Sequence, residues 1–209
     1  TPSQADVVVR TADVALVAEL ETMAALDVAA AEAEAAGGPA ARRLRLIVMI
    51  DMGDLREGIM PAELDPFMRS ARRLRHVEVA GVGTNLTCYG AVVPTRENLA
   101  ELVALARRAE AILGRSLLVS GGNSSSLDLA FDEGMPEGIT GLRVGESILL
   151  GVSTITRRPL PELVQDAFVL EAPVVECRIK PTVPRGRIAQ DAFGLTPEFV
   201  DRGDRLCAI

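Results

Sequence analysis

Short apolar runs alternate with segments of helical periodicity over about the first 150 residues, and this alternation constrains the fold more than any other feature. The predicted strands lie at residues 12–17, 44–50, 77–82, 117–119 and 141–144. Repeated strand–helix units with short links form parallel strands joined by right-handed crossovers. The sequence therefore predicts an α/β domain with about five parallel strands.

Residue types at the ends of the helical segments support the same assignment. Residues 18–36 have helical spacing and stop at Gly37-Gly38-Pro39. A second helix is predicted from Pro61 to about Leu74, with proline in its first turn. Thr95 can cap a third helix, which Gly114 ends.

Composition excludes several classes of protein. Hydrophobic residues make up 48% of the 209 and charged residues 24%, which is typical of a globular chain. The net charge of −7 argues against a nucleic-acid or anionic-membrane surface. No apolar run is long enough to span a bilayer, and no signal peptide is recognisable. The three cysteines are far apart, which argues against disulfides, so we expect a cytoplasmic protein. The single histidine argues against a histidine-based metal site.

The pattern changes after residue 151. Residues 168–171 and 174–180 resemble strands, and no helical pattern appears between residues 165 and 209. We therefore predict two domains, with a barrel-type α/β part at residues 1–160 and the start of a β domain at residues 161–209.

Polar and glycine-rich loops follow the predicted strands, where α/β folds place their ligands. Asn123 and Ser124 offer donors suited to a phosphate, and Gly145 offers a backbone N–H; the alternative for the serine run is a helix cap. Arg143, near the end of a buried strand, needs an acceptor, either a ligand or an acid such as Glu146 in a structural ion pair.

Two further loops carry candidate site residues. Arg56 lies in an acid- and glycine-rich loop and could contact an anionic oxygen, or form only a local ion pair. Asn85 follows another strand and could face a ligand or form an Asx turn.

In these loops the chain resembles the alanine racemase family of pyridoxal-phosphate enzymes, and most of all its ornithine racemase-like branch. The resemblance covers nearly the whole chain and rests on the stretches at residues 51–58, 83–90, 120–126, 142–146 and 191–194. It implies a (β/α)8 TIM-barrel type of fold, present here as a partial barrel of about strands 4–8, followed by the start of a β domain.

The resemblance also implies roles for individual residues. Asn123, Ser124, Gly145 and the backbone of Glu146 would hold the cofactor phosphate, and Arg143 would face the pyridine nitrogen. Arg56 matches an arginine near the cofactor's phenolic oxygen and the substrate carboxylate. Asn85 falls where the alanine enzymes carry a histidine against the ring.

The chain also departs from the family pattern. The family's Schiff-base lysine lies at the end of the first barrel strand, whereas the single lysine here is Lys180. We therefore expect that the first three strands are missing and that Lys180 does not bind the cofactor covalently. The neighbourhood of the family's opposing tyrosine reads Asp191-Ala192-Phe193-Gly194, so Asp191 is a candidate acid/base in its place.

The resulting hypothesis is a pyridoxal-phosphate amino-acid racemase that acts on a small amino acid as a homodimer. Alanine, serine, ornithine and lysine all remain open as substrates. One alternative is a non-catalytic pyridoxal-phosphate protein of cofactor homeostasis. Residues 165–209 argue against it, because such proteins end after the barrel. Another is a barrel remnant with a structural role and no cofactor.

Overall fold

The computed structural model describes residues 1–37, 43–161 and 163–209. The chain divides into two compact units, Thr1–Phe168 and Val169–Ile209. The predicted helix stop at Gly38 and Pro39 lies outside the described residues.

The first unit alternates strands with helices. Its strands are β1 (Val14–Val17), β2 (Arg45–Met49), β3 (Glu78–Gly83) and β4 (Leu118–Ser120). Its helices are α1 (Ala5–Thr11), α2 (Leu20–Ala35), α3 (Leu64–Ala71), α4 (Arg96–Leu113), α5 (Ser126–Asp132) and α6 (Glu146–Leu150), with short 3₁₀ turns at Pro2–Gln4 and Pro61–Glu63.

Helix α4 begins and ends where its sequence predicts. The Thr95 side chain accepts a hydrogen bond from Asn98 N at 3.2 Å, and Asn98 Oδ1 accepts one from Thr95 N at 2.9 Å. Gly114 follows the helix in the left-handed conformation, with φ of 72°. A capping box and a left-handed glycine satisfy backbone groups that the helix ends would otherwise leave unpaired.

The four strands form one parallel sheet whose order follows the chain, β1-β2-β3-β4. The register aligns Leu16, Ile47, Gly81 and Leu118 in one row across the sheet. A Cβ on Gly81 would lie only 2.6 Å from the Leu118 carbonyl oxygen, so glycine is required for this close pairing. The predicted parallel α/β arrangement is confirmed.

The predicted strand at residues 141–144 is reduced to a single bridge between Ser120 and Gly141. Around it, Thr140 N donates to Val119 O, Gly121 N to Gly141 O and Arg143 N to Gly122 O, all within 3.0 Å. The segment therefore runs beside the end of β4, but a single bridge does not make it a strand, and α6 begins soon after at Glu146.

The core lies on the side of the sheet that the helices cover. Leu46 and Val48 of β2 are fully buried, while Leu16 and Leu118 on the opposite face are 47% and 44% exposed. Helix residues of the same core cluster include Met23, Phe67, Leu102 and Ala106. This one-sided burial follows from the two-residue period of side chains in a strand.

The second unit has two antiparallel strands, β5 (Cys177–Pro181) and β6 (Asp204–Ala208). The strand predicted at residues 168–171 is absent, and the one predicted at residues 174–180 begins only at Cys177. Strand β6 was not predicted, because its sequence Asp-Arg-Leu-Cys-Ala has a single strongly apolar residue. Within the described ranges, no helix has both the length and the apolar character needed to cross a membrane.

Candidate functional site

The loops after β3 and β4 are tied together at the carboxyl edge of the sheet. Thr84 N donates to Ser120 O at 3.1 Å. One step further along, Asn123 Nδ2 donates to Asn85 Oδ1 at 2.7 Å and to Leu86 O at 2.8 Å. The candidates Asn85 and Asn123, which lie 38 positions apart in sequence, are therefore in direct contact.

Arg143 lies across the ends of the same two strands. Its Nη1 donates to Ser120 Oγ at 2.6 Å, and its Nη2 donates to the Thr84 carbonyl oxygen at 2.8 Å. The guanidinium lies next to Gly83, where a Cβ would be 3.4 Å from Nη1. The backbone N–H of Arg143 also donates to Gly122 O.

The surroundings of Arg143 leave its charge only partly compensated. Burial lowers the pKa of Arg143 from its usual value, attraction to Glu57 opposes this, and repulsion from Arg56 adds to it. An arginine stays protonated in such a site, because its ordinary pKa is far above neutrality. Pairing of Arg143 with Glu146 was the alternative from sequence, and it is wrong: Glu146 instead contacts Arg157.

Ser124 lies beside the backbone that starts α6. Its Oγ accepts hydrogen bonds from Gly145 N at 3.1 Å and from Ser147 N at 3.3 Å. Ser124 is 5% exposed and Ser147 is fully buried. Two backbone N–H groups therefore point at the Ser124 hydroxyl oxygen at the strand ends. Backbone N–H and hydroxyl groups are the donor types that bind phosphate oxygens.

Asn123 serves a local role as well. Its Oδ1 accepts hydrogen bonds from Ser125 N at 2.8 Å and from Ser125 Oγ at 2.7 Å. The N-cap residue of α5 is Ser125, whose side chain makes no capping hydrogen bond. The serine run is therefore held by Asn123 rather than by an ordinary serine cap.

Arg56 lies in the loop that follows β2, and its acidic partner is its neighbour Glu57. Arg56 Nε is 3.1 Å from Glu57 Oε2. This buried oxygen has no hydrogen-bond partner, so the contact is an ion pair without good hydrogen-bond alignment. Asp51 shapes the loop, because its Oδ1 accepts from Gly53 N and Leu55 N.

A buried carboxylate joins this loop to the one that follows β3. Asp54 is 1% exposed and accepts backbone hydrogen bonds from Cys88, Tyr89 and Val92. Burial by itself would raise the pKa of Asp54, but the N–H groups that it accepts together lower the pKa below its usual value. Asp54 is therefore a structural anchor of the site loops.

The remaining candidates belong to the second unit. Asp191 Oδ1 accepts hydrogen bonds from Phe193 N at 2.9 Å and Leu195 N at 3.0 Å. Lys180 contacts Glu176 within the same unit. The structure therefore brings Asn85 into contact with Asn123 and Ser124 into contact with Gly145, next to Arg143. Arg56 acts on Arg143 only through charge, and the Glu146 side chain pairs with Arg157. The relation of Asp191 to these residues stays a prediction.

Three residues of this site were not assigned a ligand-binding role by sequence reasoning. Ser120 accepts from Arg143, Ser147 supplies a second N–H at Ser124, and Glu57 places a negative charge near two arginines. Ser120 and Glu57 lie inside stretches already recognised as unusual, but only the three-dimensional contacts distinguish them from their neighbours. Among the described residues, no three His, Cys, Asp or Glu side chains are grouped to hold a metal ion.

Comparison with known proteins agrees with this architecture. Residues 1–153 match the family described as alanine racemase, N-terminal domain. The chain is 42% identical over 204 residues to an ornithine racemase of Acetoanaerobium sticklandii, covering 97% of this chain and 56% of the relative. It is 40% identical over 169 residues to a lysine racemase of Thermotoga maritima, covering 80% of this chain and 47% of the relative. The chain thus spans about half the length of these relatives.

Among solved structures, PipY of Synechococcus elongatus PCC7942, determined with PLP bound, superposes with a TM-score of 0.52. The sequence identity is 22%, over 70% of this chain and 65% of PipY. The parallel sheet with its helices on one face is part of an α/β barrel of the TIM type, which is the class of fold that the sequence predicts. The chain belongs to the alanine racemase N-terminal domain family.

The residues at the strand ends fit the cofactor that the resemblance implies. Pyridoxal phosphate needs hydrogen-bond donors for its phosphate and a partner for its ring nitrogen. The Ser124 hydroxyl, with the N–H groups of Gly145 and Ser147 beside it, would supply the first, and the half-buried guanidinium of Arg143 would supply the second.

Proposed function

We propose that this chain carries the cofactor-binding strand ends of a pyridoxal-phosphate-dependent amino-acid racemase. The observation that carries the proposal is the convergence of Gly145 N and Ser147 N on Ser124 Oγ, two residues along the chain from the half-buried Arg143. These donors match an anionic phosphate at one end of the cofactor and a ring nitrogen acceptor at the other.

In this proposal Ser124, Asn123 and the backbone N–H groups of Gly145, Glu146 and Ser147 bind the phosphate. Arg143 donates to the ring nitrogen and keeps its own proton, because burial does not lower an arginine pKa to neutrality. Asn85, fixed by Asn123, lies beside the ring. Arg56 binds the substrate carboxylate. Its ion pair with Glu57 neutralises part of the positive charge of Arg56.

The chemistry that the cofactor supplies when bound is acidification of the α-hydrogen of an amino acid. Racemisation then requires one group on each side of that carbon to hold and return a proton. We propose that Asp191 serves one side from a second copy of the chain in a homodimer, and that a lysine other than Lys180 serves the other side.

The substrate class follows from the relatives. An ornithine racemase and a lysine racemase are each at least 40% identical to this chain over most of its length. We therefore propose a small amino acid with a basic side chain as the substrate, and the cytoplasm as the site of action.

The test uses the full-length gene product with L- or D-ornithine and L- or D-lysine, and chiral chromatography follows the conversion. We expect conversion in both directions that depends on added pyridoxal phosphate. Ser124→Asp should weaken cofactor binding by about a hundredfold, because a carboxylate would face the phosphate, while Ser124→Asn should weaken it far less. Equal effects of the two variants would contradict the phosphate assignment.

Two outcomes would point to another function. Cofactor binding without conversion of any amino acid would indicate a non-catalytic pyridoxal-phosphate protein. Borohydride reduction followed by peptide mass spectrometry identifies the lysine that binds the cofactor, and trapping on Lys180 would overturn the assignment of that lysine as a bystander.

A further inference from the structure

We propose that Ser120 is a positioning residue that aims the guanidinium of Arg143 at the ring nitrogen. The inference rests on the proposed function and deepens it. Ser120 is the last residue of β4, and its Oγ accepts a hydrogen bond from Arg143 Nη1 at 2.6 Å. Hydrogen bonds from a charged donor are short and strong, so this contact fixes one corner of the guanidinium plane.

The second corner is fixed by backbone. Arg143 Nη2 donates to the Thr84 carbonyl oxygen at 2.8 Å, and Thr84 N is itself bound to Ser120 O. Two anchored nitrogens determine both the position and the tilt of a planar guanidinium. Of the two acceptors, only the Ser120 hydroxyl belongs to a side chain, so it is the one that a substitution can remove.

The space for this arrangement comes from a glycine. Gly83 is the register partner of Ser120, and a Cβ there would lie 3.1 Å from Ser120 Cβ and 3.4 Å from Arg143 Nη1. A side chain at position 83 would therefore press on both the serine and the arginine. Gly83 and Ser120 together shape the site in which the guanidinium lies.

Both acceptors of the Arg143 side chain are uncharged, and this affects the charge that the guanidinium presents to a ligand. Within the described part of the chain, the hydrogen bonds from the Arg143 side chain go to a hydroxyl and a carbonyl, whereas Glu57 acts on it only through charge. Because no carboxylate neutralises it by direct contact, the guanidinium keeps its positive charge directed towards a neutral acceptor such as a ring nitrogen. Since Ser120 Oγ accepts the arginine N–H, the proton of its own hydroxyl points elsewhere.

The experiment compares Ser120→Ala, Ser120→Cys and Ser120→Thr with the control Thr140→Val in the full-length protein. Alanine removes the acceptor, cysteine keeps the volume with a poor sulfur acceptor, and threonine keeps the hydroxyl. Thr140 Oγ1 accepts from Val119 N at 2.8 Å on the neighbouring segment, so its loss is a purely structural change of similar size.

Two readouts are measured. In nitrogen-15 NMR spectra without cofactor, the guanidinium N–H groups of Arg143 should be protected from exchange in the wild type, Ser120→Thr and Thr140→Val, and exposed in Ser120→Ala and Ser120→Cys. In titrations followed by absorbance, pyridoxal phosphate should bind about tenfold more weakly to Ser120→Ala and Ser120→Cys, and Ser120→Thr should restore the affinity.

The outcomes separate this inference from the function on which it rests. Unchanged exchange and affinity in Ser120→Ala, with normal binding by the wild type, would overturn the role of Ser120 and leave the proposed function standing. Exposure of the guanidinium without any loss of affinity would likewise overturn it. Failure of the wild type to bind pyridoxal phosphate would instead contradict the proposed function. The NMR comparison would still decide whether Ser120 holds Arg143 in place.

Discussion

The two units of the chain differ in what stabilises them. The first unit, Thr1–Phe168, buries a continuous apolar cluster between its sheet and its helices. In the second unit, Val169–Ile209, no residue is buried and the large apolar side chains Ile179 and Leu206 are each 71% exposed. A two-stranded sheet without a covered face is marginal in water. The first unit therefore has its own core, and the second depends on local backbone pairing.

The largest expected effect is on the free energy of unfolding when one strand leucine is replaced in each unit. Leu46→Ala removes a fully buried side chain from β2 and should lower the free energy of unfolding by about 3 kcal/mol. Leu206→Ala on β6 should change it by less than about 0.5 kcal/mol, because that side chain is already exposed. Urea titrations followed by circular dichroism of the helices measure both. A comparable loss in Leu206→Ala would show that the second unit has a core of its own.

A smaller effect is expected for two aspartates that shape loops, Asp54 in the first unit and Asp191 in the second. Asp54→Ala leaves several buried N–H groups without their acceptor and should cost about 2 kcal/mol, whereas Asp191→Ala, at an exposed turn, should cost less than about 1 kcal/mol. Urea titrations of both variants at neutral pH test this order, which equal losses would contradict.

The contribution of Asp54 should also depend on pH. The folded protein lowers the pKa of Asp54, so the stabilisation is complete above about pH 4 and is lost as the pH falls through the folded-state pKa. The difference in unfolding free energy between the wild type and Asp54→Asn should therefore shrink in acid. A difference that grows on acidification would contradict the direction of the pKa shift.

The smallest effect concerns surface ion pairs, in which the two units should behave alike. Lys180→Gln removes an exposed pair with Glu176 in the second unit, and Arg108→Gln removes an exposed pair with Asp65 in the first. Each should lower the unfolding free energy by less than about 0.5 kcal/mol, and 0.5 M salt should reduce even that. A loss above 1 kcal/mol for either variant would show that its charge is more buried than these contacts indicate.

The strand–helix alternation made the fold of the first unit readable from sequence. Buried parallel strands such as β2 and β3 are nearly continuous apolar runs, and Thr95 and Gly114 mark helix ends through their own chemistry. Helix α1 was not predicted, because its Ala-Asp-Val-Val-Val-Arg-Thr sequence is rich in β-branched residues that lower helix propensity. There, packing against α2 outweighs the local preference.

The second unit was predicted less well for a related reason. The apolar run at residues 168–171 has strand-like composition, but a strand exists only where another backbone pairs with it. Strand β6 is defined by its pairing with β5 rather than by its own sequence. Pairing partners that lie more than twenty residues apart are not visible in the local pattern.

In the candidate site, too, residue types could be recognised from the sequence but their contacts could not. Sequence reasoning selected Asn123, Ser124, Arg143 and Gly145 as candidates, because unusual residue types cluster at strand ends. It could not assign their partners: Arg143 binds Ser120 and Thr84 rather than Glu146, and Asn123 reaches Asn85 across two loops. These contacts depend on the register between neighbouring strands, which residue types alone do not determine.

The strands of the sheet lie side by side in the order in which they occur in the chain. Each strand after β1 is therefore synthesised after the strand with which it pairs. Assembly can proceed one β-α-β unit at a time, and each step closes only a short loop. Arg143 comes after all four strands, so the guanidinium reaches its two acceptors only once β3 and β4 are in place. Nascent chains that stop before residue 143 therefore lack this link between the two strand ends altogether.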